Sequence, residues 1–305
     1  MIEKLEWLRM TTSNYYILGH KGRFGHAILR NLEQGFLSCR SIEIVLSGYL
    51  IFKCEVPSDV KRNFFIIANG KSVSSSQKEV CELDSIKLGN SLDSLESHQL
   101  FQEGDFVVFL SSGGTVYGQS KNQVYEFSDL NPTSFYASEK LLQEKIVENW
   151  CLNRGLIPII LRIANAYEPI FDIPKGLIEN LIHAIKNGEI TDVYADLSSR
   201  KQYGQYSDYA SRIIEIANQV NSTKINLDLT SGVINVFSKY SYSIAEILEG
   251  ISLYFGVKKE RFAKKSENGK VNLDSVHLAT IYDQVSDVNW KDLGNSLKSI
   301  KNLST

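Results

Sequence analysis

Three glycines spaced three apart, Gly19, Gly22 and Gly25, lie between an apolar run (Tyr15, Tyr16, Ile17, Leu18) and a helix-forming segment over residues 24–34. That arrangement narrows the possible folds sharply. Glycine at such places permits a tight turn, lets a backbone approach a pyrophosphate and lets the helix pack close to its strand. The helix then offers its first amides and a favourable dipole to an anion. A strand, turn and helix of this kind predict dinucleotide binding. Gly19, Gly22 and Gly25 would sit at the pyrophosphate, with Arg23 and Phe24 beside them.

A second apolar run, Phe106, Val107, Val108, Phe109 and Leu110, reads as a buried parallel strand. It delivers the sequence SSGGTVYG, residues 111–118, to the carboxyl edge of a sheet, where open α/β sheets bind ligands. Tyr136 and Lys140 follow, four apart in a segment rich in helix formers, so their side chains share one helical face. A free tyrosine has a pKa of about 10 and is a poor base at neutral pH. A lysine cation, together with a positively charged nicotinamide, would favour the phenolate and bring it into a useful range.

The remaining segments alternate between strand and helix. Strand two is either residues 36–39, ending at Arg40, or the better apolar run 42–47. Neither register places a carboxylate where an NAD-preferring fold holds the ribose 2′-OH, because the chain offers Ser47, Gly48 and Tyr49, or Arg40. The cofactor is therefore NAD or NADP, leaning to NADP. Residues 50–56 and 64–68 read as strands three and four, the latter ending at Ala68 in the cofactor site. A Ser-rich loop over 71–91 leads to a helix around 92–102. Residues 156–161 form a further strand. Beyond residue 169 come a helix over 175–187, a strand over 190–194, a helix over 206–220, a strand over 225–229 and a capped helix over 243–255. The expected architecture is α/β, a Rossmann-type doubly wound parallel sheet. Residues 1–169 would form the dinucleotide-binding domain. Residues 170–305 would form mostly a smaller substrate-binding α/β cap, with some elements returning to the first domain.

Bulk properties exclude several classes. The 305 residues suffice for one large α/β domain, or a nucleotide domain with a small cap. A net charge of −2 advertises neither a nucleic-acid partner nor a membrane surface. Four cysteines without C-x-x-C spacing suggest reduced thiols in a cytoplasmic protein, with no disulfide frame. Five histidines without H-x-x-x-H spacing offer no metal-ligand cluster, so no metal site is expected. Residues 1–14 read as an N-terminal helix packing on the body, not as a signal peptide or span.

Taken in order, GHKGRFG, SSGGTVYG, YASEK, LRIANAYEP, and YADLSSRKQY followed by SDYA give the chain its likeness. It resembles the extended short-chain dehydrogenase/reductase family, specifically the NAD-dependent epimerase/dehydratase group acting on nucleotide sugars. The resemblance implies Tyr136 as acid/base at the sugar oxygen and Lys140 as holder of the nicotinamide ribose. It implies Asn165 and Arg200 at the substrate diphosphate, with Tyr117 also on the substrate side, and a homodimer formed through the helices around 92–102 and 136–150. GHKGRFG is also similar to the fingerprint of the NADPH-dependent GDP-fucose synthases. The family's usual Ser or Thr, three positions before the Val of V-Y-G, is replaced here by Gly113, leaving Ser112 or Thr115 to supply the hydroxyl. Gly114-Thr115 stands where the 4,6-dehydratases carry Asp-Glu, which argues against water elimination. The expected function is a nucleotide-sugar 4-epimerase working through a 4-keto intermediate. The alternatives are an NADPH-dependent 4-keto-6-deoxy-sugar reductase and a non-catalytic dinucleotide-binding regulator.

Overall fold

The structure is a computed structural model. It describes residues 11–35, 40–46, 49–58, 62–73, 76–120, 122–168, 173–189, 191–193, 197–258, 262–263 and 276–282. In chain order the strands are β1 (Thr11–Leu18), β2 (Arg40–Leu46), β3 (Tyr49–Ser58), β4 (Phe64–Ile67), β5 (Phe106–Ser112), β6 (Gln123–Val124), β7 (Ile157–Ile163), β8 (Asn165–Tyr167), β9 (Thr191–Asp192), β10 (Arg200–Gln205), β11 (Val233–Val236), β12 (Ser241–Ser243), β13 (Phe262–Ala263) and β14 (His277–Leu278). The α-helices are α1 (Arg23–Gly35), α2 (Lys78–Ser97), α3 (Phe135–Leu152), α4 (Leu177–Lys186), α5 (Tyr206–Asn221) and α6 (Ile244–Phe255).

Seven strands form the main sheet in the order β11-β7-β5-β4-β1-β3-β2. Strands β1, β4, β5, β7 and β11 run parallel. Their apolar runs are continuous because helices cover both faces. Alternation along each strand sends successive residues to opposite layers. Tyr15, Ile17, Phe64, Ile66, Phe106 and Val108 join the core under α1 and α5. Tyr16, Leu18, Phe65, Ile67, Val107 and Phe109 join the core under α2 and α3. Aromatic rings run across neighbouring strands within a layer: Tyr15 stacks on Phe64 and Phe64 on Phe106, each at 4.9 Å. Strand β11 and helix α5 thus return the chain to the main sheet. A separate small core, built from Tyr167, α4, Tyr203 and α6, forms the cap.

The sheet departs from a uniformly parallel one at its β1 edge. Strand β3 pairs antiparallel with β1, from Leu18 opposite Ile51 to Thr11 opposite Ser58, and β2 pairs antiparallel with β3. A hairpin thus occupies the place of a strand–helix–strand crossover. This explains the short connection before β4, since β3 already ends at the edge from which β4 starts and no crossover helix is needed. The preferred strand-two register is the observed one; the alternative over 36–39 and residues 47–48 lie outside the described residues, as do residues 1–10 and the ends, 190 and 194, of the strand expected over 190–194, whose described part is β9.

Three further expectations are corrected. The expected Ser-rich loop is largely the first half of α2, which begins at Lys78. Its inward face carries Cys81, Asp84, Ser85, Leu88, Ser91, Leu92 and Leu95, so polar residues hold buried positions and blur the apolar period. The strand expected at 225–229 is a 3₁₀ turn, Leu227–Thr230, and the strand itself is β11. Cys54 is disulfide-bonded, against the expectation of reduced thiols throughout, while Cys81 and Cys151 are free. No helix among the described residues is long and apolar enough to cross a membrane.

Candidate active site

The glycine turn joins β1 to α1 at the carboxyl rim. Gly19 has φ +86°, a region that disfavours side chains, and a Cβ there would lie 2.7 Å from the Asn69 nitrogen. A Cβ on Gly25 would lie 2.2 Å from the Gly19 carbonyl oxygen. The Gly22 amide closes the turn on Gly19 O at 2.8 Å. Ala68 continues from β4 beside the turn, its amide donating to Leu18 O at 2.9 Å. This cradle, bare of side chains and backed by the start of α1, fits a dinucleotide pyrophosphate. Arg23 is directed elsewhere: it donates to Glu179 and to Ile173 O of the cap, and lies 5.9 Å from the Tyr206 ring centre. Phe24 packs edge-on against Tyr206 at 4.6 Å.

Two cavities flank the turn. One, of about 400 Å³, is lined by residues including Gly19, Lys21, Ile51, Lys71, Asp84 and Lys87. The other, of about 240 Å³, gathers Ser112, Thr115, Tyr136, Asn165, Lys175 and Lys201, with Phe24, Tyr203 and Tyr206 as walls. Ser112 ends β5, Asn165 starts β8, and Tyr136 lies in the first turn of α3, whose N-cap Ser134 accepts from the Ala137 amide at 3.2 Å.

The Tyr136 hydroxyl lies beside the Ser112 side chain in this cleft, and that neighbour lowers its pKa. Thr115 Oγ1 in turn donates to Ser112 Oγ at 3.0 Å. Of the two hydroxyls open to the role, Ser112 therefore meets the tyrosine and Thr115 supports it. Gly113 has no room for the family's residue: a Cβ there would sit 2.5 Å from Leu278 Cδ1 and 2.7 Å from Arg162 O.

Lys140 is buried one helical turn from Tyr136, its Nζ 3.4 Å from Leu110 O and 5.0 Å from the Phe109 ring centre. Burial pushes the Tyr136 hydroxyl up to about 12, against a smaller lowering by Ser112. Burial pulls Lys140 down to about 8, opposed by the charges of Asp84 and Glu144. In the protein alone Tyr136 is thus protonated at neutral pH while Lys140 keeps most of its charge, and the expected lowering of the tyrosine would need the further positive charge of a bound nicotinamide.

Two residues expected at the substrate are placed away from this cleft. Tyr117 is buried, its hydroxyl accepting from Arg162 Nη1 at 3.0 Å and donating to Asn235 Oδ1 at 2.7 Å. Arg162 in turn forms a buried ion pair with Glu144 at 2.8 Å, and Ser111 donates to that carboxylate. Arg200 is exposed, paired with Glu246 at 2.9 Å and donating to Ser241 O at 2.7 Å, on a separate groove with Lys239 and His277. The inward cation of β10 is its neighbour Lys201. Strand alternation carries the signal that sequence reading missed, since residues 200 and 201 must face opposite sides. Asn165 does line the cleft and donates to Gln202 O at 3.2 Å.

Residues 92–230 match the sequence family described as "NAD dependent epimerase/dehydratase family". Among curated proteins, the chain is 24% identical over 205 residues to the "Putative UDP-glucose 4-epimerase" of Methanocaldococcus jannaschii, covering 65% of this chain and 62% of that protein. It is 25% identical over 162 residues to the "dTDP-4-dehydro-6-deoxyglucose reductase" of Escherichia coli, covering 52% of this chain and 49% of that protein. The match thus spans less than two thirds of either relative's length. Among solved structures, the dTDP-glucose 4,6-dehydratase DesIV of Streptomyces venezuelae, bound to NAD, superposes with a TM-score of 0.70 at 15% identity over 94% of this chain and 96% of that one. At that identity the likeness is one of fold.

Proposed function

From the match of residues 92–230 to the NAD dependent epimerase/dehydratase family, we propose that this chain is a nucleotide-sugar 4-epimerase. One observation carries the reading. Tyr136, Ser112 and Thr115 meet in a cleft with no carboxylate among its described lining residues. Eliminating water needs an added acid and base beside the tyrosine. Interconverting a hydroxyl and a carbonyl needs only one group that takes and returns a proton. Tyr136 would remove the C4 hydroxyl proton as the 4-keto sugar forms, and return it after the hexose has turned. Ser112 would donate to the sugar oxygen, with Thr115 holding Ser112 in place. Asn165, Lys175 and Lys201 would hold the diphosphate while the hexose rotates. The name of the M. jannaschii relative supports this choice.

Gly19, Gly22, Gly25, Ala68 and the first amides of α1 would hold the dinucleotide, and Lys140 its nicotinamide ribose. Bound there, the nicotinamide supplies the hydride acceptor and, on return, the donor. DesIV holds NAD. The larger cavity supports NADP instead: it presents Lys21, Lys71 and Lys87, and its lining acid, Asp84, already accepts two amides through Oδ2. Titration with NADH and NADPH decides between them.

A second reading is an NADPH-dependent 4-keto-6-deoxy-sugar reductase, favoured by those lysines and by the E. coli relative's name. Tyr136 would then act only as an acid. Incubation with UDP-hexoses, followed by NMR, tests for the epimer without added cofactor. Consumption of NADPH with a 4-keto-6-deoxy sugar would instead support the reductase. Dinucleotide binding without either reaction would leave a regulator. The family's homodimer also has a candidate face here: Val80, Leu83 and Ile86 of α2 and Leu142 of α3 are exposed on neighbouring helices. Sedimentation should show a dimer that Ile86→Lys dissociates.

A further inference from the structure

Lys140 presents a problem of charge. Its side chain is buried, and its hydrogen bond to Leu110 O is long, at 3.4 Å. A buried ammonium requires a compensating anion close by. Two carboxylates lie in its surroundings, Glu144 one turn along its own helix and Asp84 across the α2–α3 contact, where the adjacent Ser85 bonds Glu139 and Gln143 on either side of Lys140. Glu144 is committed: Arg162 reaches it through Nε and Nη2, at 3.1 and 2.8 Å, and Ser111 donates to it. Asp84 is the other, and its hydrogen-bond partners among the described residues are backbone amides, not a cation.

Asp84 is itself buried and firmly aimed. Its Oδ2 accepts from the amides of Lys71 and Ser72 at 2.7 Å each, and lies 3.4 Å from where a Cβ on Gly70 would be. Gly70, Lys71 and Asp84 all line the larger cavity beside the glycine turn. One carboxylate therefore bonds the loop that borders the larger cavity and sits on the helix packed against that of Lys140. We propose that Asp84 is a positioning residue for the Tyr136–Lys140 pair, holding the Lys140 ammonium charged and tying that charge to residues 70–72 at the cofactor cavity. This rests on the reading of Tyr136 and Lys140 as the proton-handling pair. The charges agree with the geometry. Among the groups around Lys140, burial lowers its pKa to about 8 while Asp84, Glu144 and the Cys81 thiol raise it. The neighbours of Tyr136 add Ser112 and Tyr206 to that set. Backbone and side-chain bonds from Ser72, bonds from Lys71 and the charge of Lys140 hold Asp84 below its ordinary value, against its burial.

The test needs no turnover. The full chain, freed of nucleotide and carrying lysine labelled with ¹³C at Cε, is titrated by NMR, with Lys140 assigned by its loss in Lys140→Met. Asp84→Asn keeps the shape and still accepts amide bonds. It should move the Lys140 titration about one pH unit toward acid, and the alkaline limb of turnover should move with it. A purely structural role for Asp84 would alter the melting temperature and leave the Lys140 midpoint in place. The reciprocal experiment follows the labelled Asp84 carboxyl in Lys140→Met, where its midpoint should rise, and this decides the matter if Asp84→Asn does not fold. An unmoved Lys140 in Asp84→Asn, or an unmoved Asp84 in Lys140→Met, overturns the coupling. Absence of turnover with every sugar nucleotide, alongside coupled titrations, would overturn the proposed function and leave the coupling standing.

Discussion

At the scale of single residues, the proposed chemistry depends on one phenol that burial holds protonated and one ammonium whose charge burial weakens. Tyr136→Phe removes the proton carrier but leaves the glycine cradle untouched. Turnover should fall by roughly 10² to 10⁴, with dinucleotide affinity unchanged by calorimetry. The two nearby hydroxyls should separate. Ser112 lies beside Tyr136 in the cleft, so Ser112→Ala should cost about 10² to 10³ in kcat, the range for loss of one preorganised donor. Thr115 acts through Ser112 at 3.0 Å, and Thr115→Ala should cost clearly less. Lys140 gives the pH dependence its sign. Its folded pKa of about 8 lies below the value for free lysine, so its charge is lost as pH rises through that point. A step that needs the ammonium should show kcat/KM, measured against pH, falling on the alkaline side near 8. The same shift makes stability rise with pH between about 8 and the unfolded lysine value of about 10.4, because there the unfolded chain binds more protons.

At the scale of elements, legibility followed local pattern. The glycine turn, β5 with its Ser-Gly end, and α3 carrying Tyr136 and Lys140 could be read because each announces itself within about ten residues. The capping box of α6 is of the same kind, with Ser243 Oγ accepting from the Glu246 amide and Glu246 from the Ser243 amide. What escaped was set by partners distant in sequence. Strand β3 looks like any apolar strand, and only its pairing with β1 reveals that it runs backward. Helix α2 was hidden because Ser85, Ser91 and Asp84 occupy positions facing α3 and the cofactor loop, with Ser85 bonded to Glu139 and Gln143. Tyr117 looked like a cleft residue until the Arg162–Asn235 network claimed its hydroxyl. Strand β10 supplies a test of facing. Lys201→Ala should raise KM for a nucleotide sugar about tenfold or more, as loss of a hydrogen bond to a charged group does, while Arg200→Ala leaves KM near its starting value. Equal effects in steady-state kinetics would place both on the substrate and undo the assignment of faces.

At the scale of the whole molecule, the question is how the cap is held to the dinucleotide layer, because the cleft lies between them. Glu179 of α4 is the joint. It is buried, and it gathers Arg23 from the start of α1, the Glu168 amide at 3.0 Å and the Lys175 amide at 2.6 Å. The cation beside the glycine turn is thereby bound to the cap. Tyr206 and Phe24 close the same seam from α5 and α1. Breaking a buried pair by removing one charge typically costs about 3–5 kcal/mol. Glu179→Gln should therefore lower the thermal midpoint measurably and speed nucleotide release. The two candidate activities should answer differently. An epimerase regenerates its cofactor in each cycle and profits from retaining it, so Glu179→Gln should make epimerisation depend on added dinucleotide. A reductase must exchange its cofactor every turn, and where release limits the rate, a looser joint should raise kcat. Stopped-flow release of the reduced dinucleotide, measured beside both steady-state assays, distinguishes the two. Unchanged release in a variant of lowered stability would show that the joint holds the fold together without governing the cofactor.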